Sequence, residues 1–256
     1  MHHKSKCRVS VNSYERFAEV YDVLMEDIPY DQYVKWVTAF APSSNYPTLL
    51  DVGCGTGTLS ILFSKAGYQV SGIDLSESML TIAQERSQKE DLTIPFYHMS
   101  MDDLEGFSNI DVVVIPIDSI NYLQSEKQVK ETFKRVYSSL RVGGQLFFDV
   151  HSVYKMDEIF LQSPFTYDDG EIFYIWYTEK GEEEHSVVHD ITFFVMEDLT
   201  NLYERFDEQH YQRTFSIETY ENWLKEVGFS QIFITADWED QSPTNTSGRI
   251  FIRAVK

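Results

Sequence analysis

LLDVGCGTGTLS, residues 49–60, sets Gly53, Gly55 and Gly57 at every second position between two apolar runs. The first run reads as a buried strand over 48–53, and the second as a short helix over 59–67 ended by Gly67. A glycine has no Cβ and adopts positive φ freely, so three of them at a strand-to-helix turn let a ligand lie against bare main chain. The helix that follows offers free N–H groups to a polar ligand group. In an open parallel sheet such a turn borders the crevice outside the strand ends, where ligands bind.

Working outward, the same alternation continues. YQVSGID (68–74) predicts a second strand and SESMLTIAQERSQ (76–88) a helix capped by Ser76. LTIPFYHM (92–99) and IDVVVIPI (110–117) predict the third and fourth strands. SEKQVKETFKRVYSSL (125–140) predicts a helix, with Ser125 and Gln128 as a capping box, and Gly143-Gly144 turn the chain into a fifth strand, QLFFDV (145–150). Upstream, SYERFAEVYDVLME (13–26) has helical spacing, and a second helix follows Pro29 through YDQYVKWVTAF. Strands alternating with helices imply right-handed crossovers and a mostly parallel sheet covered on both faces.

The rhythm changes after His151. EIFYIWYTE (171–179), SVVHDITFFVME (186–197) and NLYERFDEQHYQRTFS (201–216) are strand-like with no helix between them, which predicts a three-stranded antiparallel insertion. SIETYENWLKEVGF (216–229) is an amphipathic helix capped by Ser216 and stopped by Gly228. SQIFITADWE (230–239) and RIFIRAVK (249–256) are two last strands. Their short polar joint is too brief for a helical crossover, so they pair antiparallel. The expected architecture is α/β: a Rossmann-like, doubly wound seven-stranded sheet with an antiparallel last strand. Residues 1–153 and 216–256 form the ligand-binding domain, and 154–215 the β insertion that roofs it.

Composition narrows the function. At 256 residues and 43% hydrophobic content the chain can bury one sizeable core. No apolar run approaches the roughly 20 residues that span a bilayer, so no membrane role is expected. MHHKSKCRVSVNS has basic residues without an apolar core and does not read as a secretory signal. Two cysteines, Cys7 and Cys54, make no disulfide framework and suit a cytoplasmic setting. The net charge of −20, from 41 acids against 21 bases, repels phosphate backbones, so nucleic acid is not an expected partner. Seven histidines are scattered. His185 and His189 would stand roughly 13 Å apart on a strand, too far to chelate, so no metal is expected.

The glycine turn does not spell a dinucleotide fingerprint, because Thr58 stands where G-x-G-x-x-G/A needs its last residue. The pattern is D-x-G-x-G-x-G led by Asp51, and Asp74 stands at the tip of the second strand, where a carboxylate can accept both hydroxyls of a ribose. Here the sequence resembles the class I S-adenosylmethionine-dependent methyltransferases. DVGCGTG is similar to their first motif, SGIDLSESML to the second, IDVVVIPIDSINYL to the fourth-strand motif and RVGGQLFFDVHS to the fifth. More narrowly, YERFAEVYDVLM, FFDVHSVYK, HDITFF and QHYQRTF resemble a bacterial small-molecule branch.

The resemblance implies S-adenosylmethionine as cofactor and assigns roles by position. Gly53, Gly55 and Gly57, with Asp51 and Cys54, would approach the methionine part, and Asp74 would hold the ribose. Leu75 and Met79 would flank adenine. An Asp-Met pair common after the third strand is here Ser100-Met101, so either Ser100 or Asp102 would meet the adenine amine. Asp118 would lie near the methyl group, and Tyr21 would close over the cofactor. His151 at the end of the fifth strand is the candidate proton acceptor, with Asp118 beside it. Tyr14, Trp176, Tyr211 and Arg213 are candidate substrate residues, Tyr211 and Arg213 sharing one strand face and His210 and Glu208 the other.

The expected reaction is methyl transfer to N or O of a small molecule. A nicotinamide-dependent oxidoreductase and a non-catalytic cofactor-binding module are the alternatives. The sequence does not separate a monomer from a homodimer.

Overall fold

A computed structural model describes residues 28–196 and 202–256. The helix expected over 13–26, with Tyr14 and Tyr21, lies outside the described residues.

The described chain opens with helix α1 (Tyr30–Phe40) and strand β1 (Thr48–Val52). It continues through α2 (Thr58–Lys65), β2 (Gln69–Asp74), α3 (Glu77–Lys89), β3 (Phe96–His98) and β4 (Ile110–Ile115). Then come α4 (Glu126–Ser139) and β5 (Leu140–His151). Side-chain oxygens cap α3 and α4 as the sequence predicts: Ser76 accepts from the Met79 N–H and Ser125 from the Gln128 N–H. After the insertion follow α5 (Ile217–Val227), β10 (Gln231–Ala236) and β11 (Arg249–Val255).

The seven strands run in the order β10-β11-β5-β4-β1-β2-β3. β1 to β5 are parallel, and β11 is antiparallel to both β5 and β10. The strands are apolar on both faces because both faces are covered. Leu50, Val113, Phe148 and Ile252 point to one layer with Phe133, Tyr220 and Leu224 of the covering helices. Leu49, Val112, Phe147 and Phe251 point to the other, with Tyr33, Val37 and Phe63.

Two predicted details differ. β5 begins at Leu140, before the glycine pair. Gly144 lies inside it, where a Cβ would come within 2.9 Å of the Arg141 carbonyl oxygen, and the pairing with β4 shifts register between Ile110 and Val112. The pair thus makes a bulge rather than a turn.

The insertion has four antiparallel strands, not three: β6 (Phe165–Asp168), β7 (Ile172–Lys180), β8 (Ser186–Met196) and β9 (Tyr203–Arg213), in that order. The unforeseen β6 is four residues long, too short for a periodicity to stand out, yet Phe165 pairs with Trp176 in register. Side-chain bonds lock this sheet to the larger one. Asn121 accepts from the His151 N–H (2.9 Å) and donates to the Arg213 carbonyl (2.8 Å), and the Thr214 hydroxyl donates to the His151 carbonyl (2.6 Å).

Candidate active site

A cavity of about 1030 Å³ lies over the carboxyl ends of β1, β2, β4 and β5. One end is the glycine turn. Gly53, Gly55 and Gly57 all have positive φ, at 74°, 53° and 79°. A Cβ on Gly53 would lie 2.9 Å from Ser119 Oγ, so this residue can be nothing larger. Gly57 is different, for it is absent from the cavity wall and its missing Cβ makes room for Ala83, 2.8 Å away. It serves helix packing rather than ligand approach.

Asp74 ties the turn to β2. One carboxylate oxygen accepts the Gly55 N–H and the other the Ser76 N–H, both at 2.8 Å. Each oxygen keeps a lone pair for a ligand hydroxyl. Asp51 is fully buried; Ser60 donates to its Oδ2 at 2.5 Å, while Oδ1 has no partner. Burial, reinforced by Asp74 nearby and opposed by the Ser60 bond, pushes its pKa up to about 7. An unpartnered buried carboxylate oxygen beside bare main chain suits a ligand ammonium. Burial likewise pushes the Cys54 thiol up, so it stays protonated. Leu75, Met79, Ser100 and Met101 line the next part of the cavity, whereas Asp102 does not. Ser100 instead donates its hydroxyl proton to Asp102.

In the middle stands Asp118. It and Ile117 both have positive φ, 49° and 54°, and a β-branched residue there is strained. The conformation is held by Asp149, whose carboxylate accepts both N–H groups, at 2.7 Å from Ile117 and 3.1 Å from Asp118. Asp118 in turn accepts from Arg249 (2.8 Å) and Gln212 (2.8 Å), and His151 Nε2 lies 3.3 Å from it. Burial alone would raise the Asp118 carboxyl. The Arg249 charge, with the hydrogen bond from His151, outweighs it and holds the pKa well below the usual range. Burial takes His151 down to about 4, against the pull of Asp118, so the ring is neutral near pH 7. With Nε2–H facing the carboxylate, Nδ1 carries the lone pair, and Nδ1 has no partner.

The far end is roofed by the insertion. Trp176 lines it, and its indole N–H donates to His189 Nδ1 at 3.1 Å. Tyr211 and Arg213 do not line it. Arg213 pairs with Glu183 at 3.3 Å and lies over the Phe215 ring. The opposite face of β9 turns inward and supplies Glu208, His210 and Gln212, joined by His189, Lys155 and Phe160. None of these six is among the site residues expected from the sequence. The signal was present, because apolar Phe206 leads the run Glu208, His210, Gln212 at period two. Among the described residues no cluster of His, Cys, Asp and Glu could hold a metal, and no helix is long and apolar enough to cross a membrane.

Residues 49–144 match the family model for a methyltransferase domain. Two relatives bear the name "Putative methyltransferase". One, from Geobacillus sp. (strain WCH70), is 47% identical over 247 residues, covering 95% of this chain and all of its own length. The other, YqeM of Bacillus subtilis (strain 168), is 45% identical over 244 residues, covering 95% and 97%. Among solved structures, an S-adenosylmethionine-dependent methyltransferase from Clostridium acetobutylicum ATCC 824 superposes with a TM-score of 0.86 at 27% identity, covering 95% of this chain and 99% of that one. The sugar N-methyltransferase KedS8 from Streptoalloteichus sp. ATCC 53650 shares the fold, with a TM-score of 0.75 at 17% identity over 100% and 96% of the two chains. A bare turn after β1, a carboxylate ending β2 and near-full-length likeness to these relatives lead to one conclusion: the chain belongs to the S-adenosylmethionine-dependent methyltransferases, and S-adenosylmethionine is its cofactor.

Proposed function

We propose that this enzyme methylates a nitrogen or oxygen of a small molecule inside the cavity beneath the insertion. The observation that carries the reading is continuity: one cavity runs from the glycine turn to the underside of β7–β9. Its volume suits a cofactor with a small second molecule, at the upper end of the roughly 300–1,000 Å³ range of ligand sites.

The cofactor supplies a methyl group on a sulfonium, already activated for displacement. The chain's part is to bind, align and exclude water. Asp74 accepts the ribose hydroxyls with the lone pairs its backbone bonds leave free. Gly53 and Gly55 admit the amino-acid end, and Asp51 Oδ1 accepts its ammonium. Leu75, Met79 and Met101 flank adenine. Because Ser100 already donates to Asp102, its free lone pairs face the adenine amine, and Asp102 acts through Ser100 rather than by contact. Asp118 orients His151, whose Nδ1 takes a proton from an acceptor that must lose one. The insertion, within 154–215, is the substrate lid.

Titration calorimetry with S-adenosylmethionine and S-adenosylhomocysteine tests the cofactor end. Transfer of tritiated methyl to pooled amines, alcohols and acids tests the rest. No binding of either compound rejects the site assignment, and label found only on protein or nucleic acid rejects the small-molecule acceptor.

A further inference from the structure

Beyond the cofactor end, the cavity holds a cation with no counter-ion among the described residues. Lys155 opens a single π-helical turn (Lys155–Ile159) just after β5, a feature frequent at functional sites. Its side chain lines the cavity, with Nζ 5.2 Å from the centre of the Phe160 ring. Among the described residues no carboxylate lies in ion-pair range of it. Of the cavity's carboxylates, Asp51 lies at the glycine turn and accepts from Ser60, Asp74 is engaged with two backbone N–H groups, Asp118 with Arg249 and Gln212, and Glu208 with His210 at 3.0 Å. In a chain of net charge −20, an unpaired cation facing a cavity calls for a ligand. Burial draws its pKa down, as does the Arg249 charge, and the charges of Asp118, Asp149 and Asp237 only partly oppose this.

The strand order decides whose ligand it is. Glycine turn and Asp74 lie on β1 and β2, to one side of β4, while Lys155 follows β5 on the other side. The cation therefore sits on the methyl acceptor's side. A second donor stands with it. Because Trp176 Nε1 donates to His189 Nδ1, the His189 proton is on Nε2, which stands near the Gln212 side chain without a formed bond. Phe160 ties the two together, its ring 4.8 Å from that of His189 and 5.7 Å from that of Trp176.

We propose that the methyl acceptor carries a carboxylate, bound by Lys155 with His189 Nε2–H as second donor, and that its apolar part lies against Phe160 and Trp176. A single cation in a cavity that also holds Asp118 and Glu208 matches a monoanion better than a phosphate. The proposal rests on the methyltransferase reading of the cavity.

The test uses benzoate as probe. Protein saturated with S-adenosylhomocysteine is titrated with sodium benzoate by calorimetry, beside Lys155→Met, Lys155→Arg and a parallel titration with inorganic phosphate. Wild type binds benzoate saturably, K155M binds it roughly tenfold more weakly or worse, the loss of a charge-assisted bond, and K155R keeps most of the affinity. S-adenosylhomocysteine binds all three proteins within about threefold of one another. The proposal is overturned by equal benzoate binding in K155M, by none in wild type, or by preference for phosphate. It is also overturned if K155M loses S-adenosylhomocysteine, since Lys155 would then serve the cofactor's own carboxylate. Wild type that fails to bind S-adenosylhomocysteine refutes the cavity's cofactor assignment itself.

Discussion

Asp149 holds Asp118 by the backbone: its carboxylate accepts the Asp118 N–H at 3.1 Å and the Ile117 N–H at 2.7 Å, while Arg249 bridges both carboxylates from the antiparallel strand β11. Two positive-φ residues in succession would relax without that grip. Arg249→Met leaves two buried carboxylates facing each other, and removal of one partner from such a cluster costs about 3–5 kcal/mol. Urea unfolding should show that loss. A change below 1 kcal/mol would mean that the two strained residues hold themselves.

The glycines of the turn divide by function. Gly53→Ala adds a Cβ at φ 74° against Ser119, beside the ligand crevice, and should weaken S-adenosylhomocysteine binding by about tenfold or more. Gly57→Ala drives a Cβ into Ala83, away from the cavity wall, and should lower stability by about 1–3 kcal/mol with cofactor affinity in the folded protein near wild type. Matched calorimetry and urea curves check both. Equal loss of binding in the two variants would contradict the division.

Stability should respond to pH with opposed signs in one window. His151 and His189 are buried neutral, each with its pKa brought down to about 4 chiefly by burial. The unfolded chain then binds more protons between pH 4 and 6.5, so stability present at pH 7 is lost as pH falls. Asp51 is reversed: its pKa of about 7 makes the folded state bind the extra proton, so its contribution improves as pH falls from 7 toward 4. Asp51→Asn should therefore steepen the loss on acidification from pH 7 to 5, and His189→Gln flatten it, each on the order of 1–3 kcal/mol. Unfolding curves at the two pH values give the slopes, and unchanged slopes would place these groups in contact with water.

The alternation of strands and helices from 48 to 150 was legible because β1, β4 and β5 are buried on both faces and α3 and α4 carry side-chain caps, so pattern and local chemistry agree. The cofactor end was legible for a related reason. Gly53, Gly55 and Asp74 act through backbone geometry at fixed points of one strand-turn-helix unit. The acceptor end was not, because Lys155, His189 and Glu208 meet only when a second sheet folds back over the first. On β9 the sequence offered two faces, and Phe206 alone marked the inward one. The engagement of Ser100 with Asp102 was similarly hidden, since both stood as equal candidates two residues apart.

If His151 takes a proton, His151→Asn should lower kcat by about a hundredfold or more with an acceptor that must lose one, general base catalysis being worth roughly 10²–10⁴. Binding of S-adenosylhomocysteine should stay within about threefold of wild type, because the ring stands beyond Asp118 from the glycine turn. Rates across pH 5–9 check the role. An Asn variant with wild-type kcat throughout would assign His151 to structure alone.

The two faces of β9 give the last contrast. Arg213 points away from the cavity and pairs at 3.3 Å with Glu183, which is more than half exposed. Arg213→Ala should leave methyl transfer unchanged. Gln212, its neighbour, is buried and donates to Asp118 at 2.8 Å. Gln212→Leu removes that donor while keeping the volume, leaving Oδ2 with only the longer His151 contact, so the neutral His151 loses part of the constraint that orients it. Transfer should fall roughly tenfold, an effect equal to about 1.4 kcal/mol and typical of a lost bond to a buried charge. Side-by-side assays of the two variants decide which face of this strand looks onto the reaction; loss in R213A with Q212L intact would reverse it.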